Sequence, residues 1–272
     1  MRKIRLLASL FTLSAILTSC NKNNVRNPLD DKVLTIGLEC AYSPYNYTEY
    51  VANENNVAIK GTNGEYCGGY DILIAKRIAQ NLGVTLEVVR CDWEGLIPQV
   101  SAGTIDAIIA GMTDTEERRN SIDFTDEYYK STLVIVTNNE NANKTTIEDF
   151  AGLRFTAQLG TVQADLITEL AESKGIVAAP ATNTYPEAFV ALNAGTVDAV
   201  ICESPVATDF LNSASGNGYT QVVLEGNDDF VISVSIGIAK DVASTYKDAL
   251  NEALAAISQA TREELMRQAT GA

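Results

Sequence analysis

Ala102-Gly-Thr-Ile-Asp-Ala-Ile-Ile109 returns 92 residues later as Ala194-Gly-Thr-Val-Asp-Ala-Val-Ile201. Six of the eight positions are identical, and the other two exchange Ile for Val. Each copy has the composition of a helix end, a Gly-containing turn and a short buried strand. A repeated unit of this kind predicts two α/β lobes of similar build rather than one continuous domain. The two strands continue differently. The first copy leads into Gly111-Met-Thr-Asp-Thr-Glu-Glu-Arg118, the second into Glu203-Ser-Pro. Ligands of open α/β sheets gather at the carboxyl ends of the strands. A cation from one lobe and a carboxylate from the other are therefore expected to face each other across a cleft, an arrangement suited to a zwitterion such as a free amino acid.

Around the two copies, strands alternate with helices. In the first half, strands are predicted over Val33–Glu39, Leu86–Cys91 and Asp106–Ala110. A helix is predicted over Ile72–Leu82, with Asp71 as its N-cap, and another over Leu96–Ala102. The β-branched run Ser131–Thr137 reads as a strand leaving this lobe. The cycle then restarts, with strands over Leu153–Ala157, Ile176–Ala179 and Ala199–Cys202 and helices over Val162–Ser173, Tyr185–Ala194 and Pro205–Ser213. A last strand, Ser233–Ala239, precedes a helix over Ala243–Ala260 and a short final one from Thr261.

The N-terminus speaks to compartment. Arg2, Lys3 and Arg5 precede the apolar stretch Leu6–Leu17, which is too short to span a bilayer and has the layout of an export signal. Leu17-Thr-Ser-Cys20 resembles a bacterial lipobox, in which Cys20 is acylated and becomes the mature N-terminus. Asn21–Asp31 is polar and without periodicity, as expected of a tether. Removing residues 1–19 turns the net charge of −15 into −18 and leaves about 250 residues, enough for two lobes. So acidic a chain is a poor partner for nucleic acid or anionic lipid. It contains no His, which removes the usual general base and the commonest metal ligand. No cofactor or metal is expected. The cysteines left after acylation are Cys40, Cys67, Cys91 and Cys202. Export permits disulfides among them, four thiols allow three full pairings, and the residues do not choose between them. Cys202 reads as a buried apolar residue.

From Leu34 to the C-terminus the chain resembles the bacterial solute-binding proteins that feed polar amino acids to ABC importers. The resemblance is carried by Tyr42-Ser-Pro-Tyr45, Gly68-Gly-Tyr-Asp71, Trp93-Glu-Gly-Leu-Ile-Pro98 and Thr113-Asp-Thr-Glu-Glu-Arg118. It continues through Ile122-Asp-Phe-Thr-Asp-Glu-Tyr-Tyr129, Gly160-Thr-Val-Gln163 and Asp198-Ala-Val-Ile-Cys-Glu-Ser-Pro205. It implies the two-lobe, periplasmic-binding-protein-like (type II) α/β fold, with a ligand cleft between lobes joined by two crossover segments. Those crossovers are expected near Lys130–Thr132 and Glu225–Phe230. Lobe one would then comprise 32–130 and a C-terminal return, 229–272, and lobe two 131–228, after a signal at 1–19 and a tether at 20–31.

The residue roles rest on chemistry and on that resemblance together. Arg118 offers a planar fork of donors for a ligand carboxylate. Thr113 and the Gly111 backbone are expected at the same end, and Gly160-Thr161-Val162-Gln163, opening a helix, suits an anion. Glu203 matches the family position whose acid takes the α-ammonium, where many members carry Asp. Glu39 matches an acid found in relatives that bind Lys, Arg or ornithine, and Tyr42 and Trp93 match the two aromatics that sandwich the ligand side chain. Met112 and Gln158 complete the expected ligand shell. A carboxylate with two aromatic faces suits a basic amino acid, arginine or lysine first. The partners implied are that amino acid, a separate membrane permease and ATPase, and the membrane itself through the lipid on Cys20, with the chain acting as a monomer. Two other classes remain in view: an exported cyclohexadienyl (prephenate or arogenate) dehydratase-like enzyme on the same fold, and a sensing or adhesive surface lipoprotein.

Overall fold

The computed structural model describes residues 25–224 and 230–271. The export signal, Cys20, the start of the tether and most of the second expected crossover lie outside the described residues.

Among the described residues, thirteen strands and eight α-helices follow one another along the chain. The first part holds β1 (Val33–Leu38), β2 (Ala41–Tyr42), β3 (Asn46–Glu49), β4 (Val57–Ala58), β5 (Tyr66–Gly68), α1 (Tyr70–Leu82), β6 (Thr85–Arg90), α2 (Leu96–Ser101), β7 (Ala107–Ile108) and α3 (Glu116–Arg119). Then come β8 (Ile122–Asn138), β9 (Arg154–Thr156), α4 (Val162–Lys174), β10 (Val177–Ala178), α5 (Tyr185–Asn193), β11 (Ala199–Glu203), α6 (Ser204–Asn212), β12 (Tyr219–Val222), β13 (Val231–Ala239), α7 (Ser244–Ala255) and α8 (Gln259–Thr270).

Among the described residues, nine strands form one sheet in the order β10-β9-β11-β8-β13-β7-β1-β6, with β12 also on β8. The 17-residue strand β8 joins the two lobes. Its first part, Ile122–Thr132, pairs with β13, and from Leu133 onward it pairs with β11 and β12. The expected strand Ser131–Thr137 is the second half of this element. Its polar first half, Ile122-Asp-Phe-Thr-Asp-Glu-Tyr-Tyr129, hides the alternation that would have revealed the rest.

Where a strand is covered on both faces its residues divide alternately between two clusters, because successive side chains point to opposite sides of a sheet. In β8, Leu133 and Ile135 join an outer cluster with Phe150, Phe155, Ile167 and Leu170, whereas Val134 and Val136 join the main core. The same division separates Ala199 and Ile201 from Val200 and Cys202 in β11. That main core is continuous from lobe one into the inner face of lobe two.

Two local expectations are corrected, and one small sheet is added. Asp71 is not the N-cap of α1, since Gly69 holds that place and Asp71 lies buried in the first turn. The final helical stretch breaks at Ala256–Ser258 rather than at Ala260, with Ser258 capping α8 through the Thr261 amide. The small antiparallel sheet β2-β3-β5-β4 was not foreseen, its strands being two to four residues long. Cys40, Cys67, Cys91 and Cys202 are all buried and unbridged. No described helix is long and apolar enough to cross a membrane.

Candidate functional site

The carboxyl ends of β1, β7, β9 and β11 meet in a cleft between the lobes. Tyr42, Trp93, Gly111, Thr113 and Arg118 line it from one side, and Gln158, Thr161, Val162, Gln163, Tyr185 and Glu203 from the other. Its interior volume is only ≈ 10 Å³, because side chains of the two lobes touch across it.

Arg118 sits on α3, a single turn capped by the Thr115 hydroxyl, which accepts from the Arg118 amide. One guanidinium nitrogen donates to the Thr113 carbonyl at 2.7 Å, and another donates across the cleft to the Gly160 carbonyl at 3.0 Å. The guanidinium carbon lies 5.2 Å from the centre of the Trp93 ring, a cation–π distance. Trp93 makes the same crossing, its indole N–H donating to the Gly160 carbonyl at 3.0 Å. Burial lowers the Arg118 pKa, opposed by the negative charges of Asp165 and Glu117, yet a guanidinium stays charged. A planar fork of this kind, half-buried at the cleft, can take a carboxylate.

Facing it, Thr161 caps α4 and accepts from the Ala164 amide, so the amides of the first turn open toward the cleft. The Thr161 hydroxyl donates to the Gln158 carbonyl at 2.7 Å, holding the turn in place. Gly160 adopts φ 69°, a conformation glycine accepts without strain. A helix end of this kind complements an anion.

Glu203 closes β11 and is 2% exposed. Burial raises its pKa, and hydrogen bonds from Tyr42 and Gln163 work against that rise. The Tyr42 hydroxyl donates to its carboxylate from the opposite lobe. Burying an ionised carboxylate without a cationic partner is costly, and a cation placed beside Glu203 would offset that cost.

Glu39, just past β1, accepts from the Gln158 side chain at 2.8 Å, again across the cleft. Burial is the main cause that pushes its carboxyl up to about 7, with the Asp92 charge adding to it and the Gln158 bond opposing. Gln158 is fixed by a second bond, to the Asn183 carbonyl at 2.9 Å.

The structure thus brings Arg118, Thr113, Trp93, Gln158, Thr161, Val162, Gln163, Tyr42 and Glu203 to one cleft, with Glu39 directly behind Gln158. Two sequence expectations change in detail. The Met112 side chain lies in the core, 1% exposed, and does not line the cleft. The Gly111 amide donates to the Tyr128 hydroxyl at 2.9 Å, so it has no free N–H for a ligand. Tyr128 in turn donates to Asp71 at 2.7 Å, and Asn46 donates to the other Asp71 oxygen. This buried chain fixes the Gly111 turn, where a Cβ would lie 3.0 Å from the Tyr42 ring. Tyr42 stacks on Tyr45 at 5.1 Å and on Tyr185 at 4.9 Å, and both Tyr42 and Trp93 line the cleft.

Tyr185 is the residue that sequence reading missed. Its signal was positional, because the first residue of a helix that succeeds a strand of an α/β sheet sits beside the strands' carboxyl ends.

The chain matches the family model "Bacterial extracellular solute-binding proteins, family 3" over residues 34–272. It belongs to that family. Among its relatives, the L-arginine-binding protein of Pseudomonas aeruginosa is 30% identical over 77% of this chain and 76% of its own. Two solved structures share the fold: an ancestral arginine-binding protein bound to arginine, and the ancestral amino-acid-binding protein AncCDT-1, a precursor of cyclohexadienyl dehydratase. The first is 29% identical with a TM-score of 0.71, covering 90% of this chain and 98% of its own. The second is 26% identical with a TM-score of 0.72, covering 88% and 96%. This family-3 chain therefore has the two-lobe periplasmic-binding-protein fold.

Proposed function

We propose that this solute-binding protein captures a free amino acid with a cationic side chain between its lobes and presents it to the permease of an ABC importer. The observation that carries the reading is the opposition of Arg118 and Glu203. One cation and one buried carboxylate, from opposite lobes, meet at a single cleft. Arg118, Thr113 and the start of α4 take the α-carboxylate, and Glu203 takes the α-ammonium. Glu39 takes the cationic end of the side chain, with Trp93 as a flanking aromatic face. The arginine named for the relative and for one of the solved structures supports a basic ligand.

Capture works by closure. A ligand that bridges both lobes binds the closed form better than the open one, and that difference shifts the population. The lobes turn about the β8 segment near Lys130–Thr132 and about the return segment near Glu225–Phe230, giving lobe one residues 32–130 and 229–272 and lobe two residues 131–228. The protein acts as an exported monomer, held at the membrane by lipid on Cys20 through the 20–31 tether, and it catalyses no reaction.

The test is a thermal-shift screen of the mature chain with Cys20 replaced, run against the twenty amino acids, ornithine and prephenate. A ligand at a hundred times its Kd adds about 2.7 kcal/mol of stability. Stabilisation by Arg, Lys or ornithine supports the reading. A response to neutral or acidic amino acids alone removes the basic specificity. Prephenate turnover to an ultraviolet-absorbing aromatic product would replace binding with dehydratase chemistry.

A further inference from the structure

Beside the ligand cleft lies a second hollow of ≈ 260 Å³, mostly on lobe two, walled by Phe189, Val190, Val206 and Phe210, with Asp209 and Ser43 of lobe one at its edge. Phe189 and Phe210 stack at 4.1 Å along it, giving one apolar, closely packed stretch of wall, with Asn193, Ser213 and Ser215 elsewhere around it. Among the described residues, Tyr185 alone lines both this hollow and the ligand cleft. Its ring is 2% exposed, stacked on Tyr42 at 4.9 Å on the cleft side and 6.3 Å from Phe189 on the other. Its hydroxyl donates to the Ile201 carbonyl at 3.2 Å, two residues before Glu203, which fixes the ring level with that carboxylate.

We propose that Tyr185 is a specificity-determining residue: its ring is the partition that ends the ligand cleft at Glu203 and excludes any ligand extended beyond its α-ammonium. This inference rests on the binding reading above and deepens it. A peptide with a C-terminal arginine has the same carboxylate and guanidinium as the free amino acid. It differs at the α-nitrogen, which is acylated by the preceding residue. In the native site that residue would have to occupy the volume of the Tyr185 ring. With the ring removed, the cleft opens into the hollow. A phenylalanyl group could then lie along Phe189 and Phe210, with its ammonium within the reach of Glu203 or Asp209. Discrimination here is steric exclusion of a larger competitor, a form of specificity built against the wrong ligand rather than for the right one.

The test compares L-arginine with the dipeptide Phe-Arg by titration calorimetry on the native protein and on Y185F, Y185L and Y185A, each first shown to be folded by its cooperative thermal transition. The ratio of the two dissociation constants is the readout, because a merely structural loss would weaken both ligands together. Native protein and Y185F are expected to prefer arginine strongly. Y185A is expected to narrow that preference by at least about tenfold, or about 1.4 kcal/mol, with Y185L between. Y185L also keeps the test open should Y185A not fold. An unchanged ratio in a folded Y185A or Y185L, in a protein that binds arginine, overturns the partition alone. Failure of the native protein to bind any amino acid overturns the partition and the binding reading together.

Discussion

The two copies of the Ala-Gly-Thr-x-Asp unit fold alike and then diverge. In each, the helix ends at the alanine and the glycine turns with positive φ, 70° at Gly103 and 67° at Gly195. Each aspartate bonds the start of the neighbouring parallel strand twice. The Asp106 amide donates to the Thr35 carbonyl at 2.7 Å and its carboxylate accepts from the Thr35 amide at 2.9 Å. The Asp198 amide donates to the Arg154 carbonyl at 2.8 Å and its carboxylate accepts from the Arg154 amide at 2.8 Å. Even the cations correspond, Arg26 on Asp106 and Arg154 on Asp198. Each strand then lies between one parallel and one antiparallel neighbour. Beyond that point the likeness ends. Lobe one turns at Gly111 into a loop that places Thr113 and Arg118, while lobe two runs straight from Glu203 into α6. The scaffold is shared and the charge placed on it is not, which is how one architecture offers two unlike half-sites to a zwitterion.

The largest expected effect comes from erasing that difference of charge. Arg118→Ala removes the only side-chain cation lining the cleft among the described residues. Truncating one partner of a buried, hydrogen-bonded charge pair costs about 2–5 kcal/mol, so arginine affinity by calorimetry should fall on the order of a hundredfold or more. Glu203→Gln keeps an acceptor but removes the charge, and its loss should be smaller, on the order of tenfold to a hundredfold. If Arg118→Ala binds arginine as the native protein does, the two half-sites are not complementary as described.

Glu39→Gln sharpens the comparison from outside the repeat. Affinity for arginine should drop more than about tenfold, with little change for a neutral amino acid. The Glu39 carboxyl is raised to about 7 by burial and Asp71 likewise to about 7. The folded state therefore holds protons that the unfolded chain has released. Their contribution to stability is present below the ordinary carboxylate range and is lost as pH rises through about 7. A guanidinium needs the ionised form of Glu39, so binding takes the opposite course. Arginine affinity should rise between about pH 5.5 and about pH 8, and Glu39→Gln should flatten that rise. An equal pH dependence in the variant would remove Glu39 from the ligand.

Most of the architecture was legible because its signals are local. The turn glycines and apolar runs from Leu153 to Ile201 placed the elements of that stretch to within about two residues, whereas β12, the four-residue Tyr219–Val222, had no such signal. The charged half-sites were legible because Arg118 and Glu203 each come after a copy of the same strand. The Asp71–Tyr128–Gly111 chain was not, since its members are up to 57 residues apart and meet only through tertiary packing. Tyr185 was hidden for a related reason. A tyrosine opening a helix carries no pattern of its own, and its role depends on Tyr42 arriving from the other lobe.

The smallest effect tests the scaffold that the copies share. Asp106 is 7% exposed, whereas Asp198 is half-buried with a more open ion pair. Asp106→Ala leaves the part-buried Thr35 amide without its acceptor, which costs about 1–3 kcal/mol. Asp198→Ala gives up a more exposed pair, worth about 1 kcal/mol or less, along with the bond to the Arg154 amide beside that less buried carboxylate. At about 2–4 °C per kcal/mol for a chain of this size, the first should lower Tm visibly more than the second. Neither aspartate lines the cleft. Arginine affinity should therefore stay within about twofold in both, a change well below 1.4 kcal/mol. Equal destabilisation would mean that burial does not distinguish the two copies. A loss of affinity in either would mean that the aspartates hold the half-sites as well as the strands.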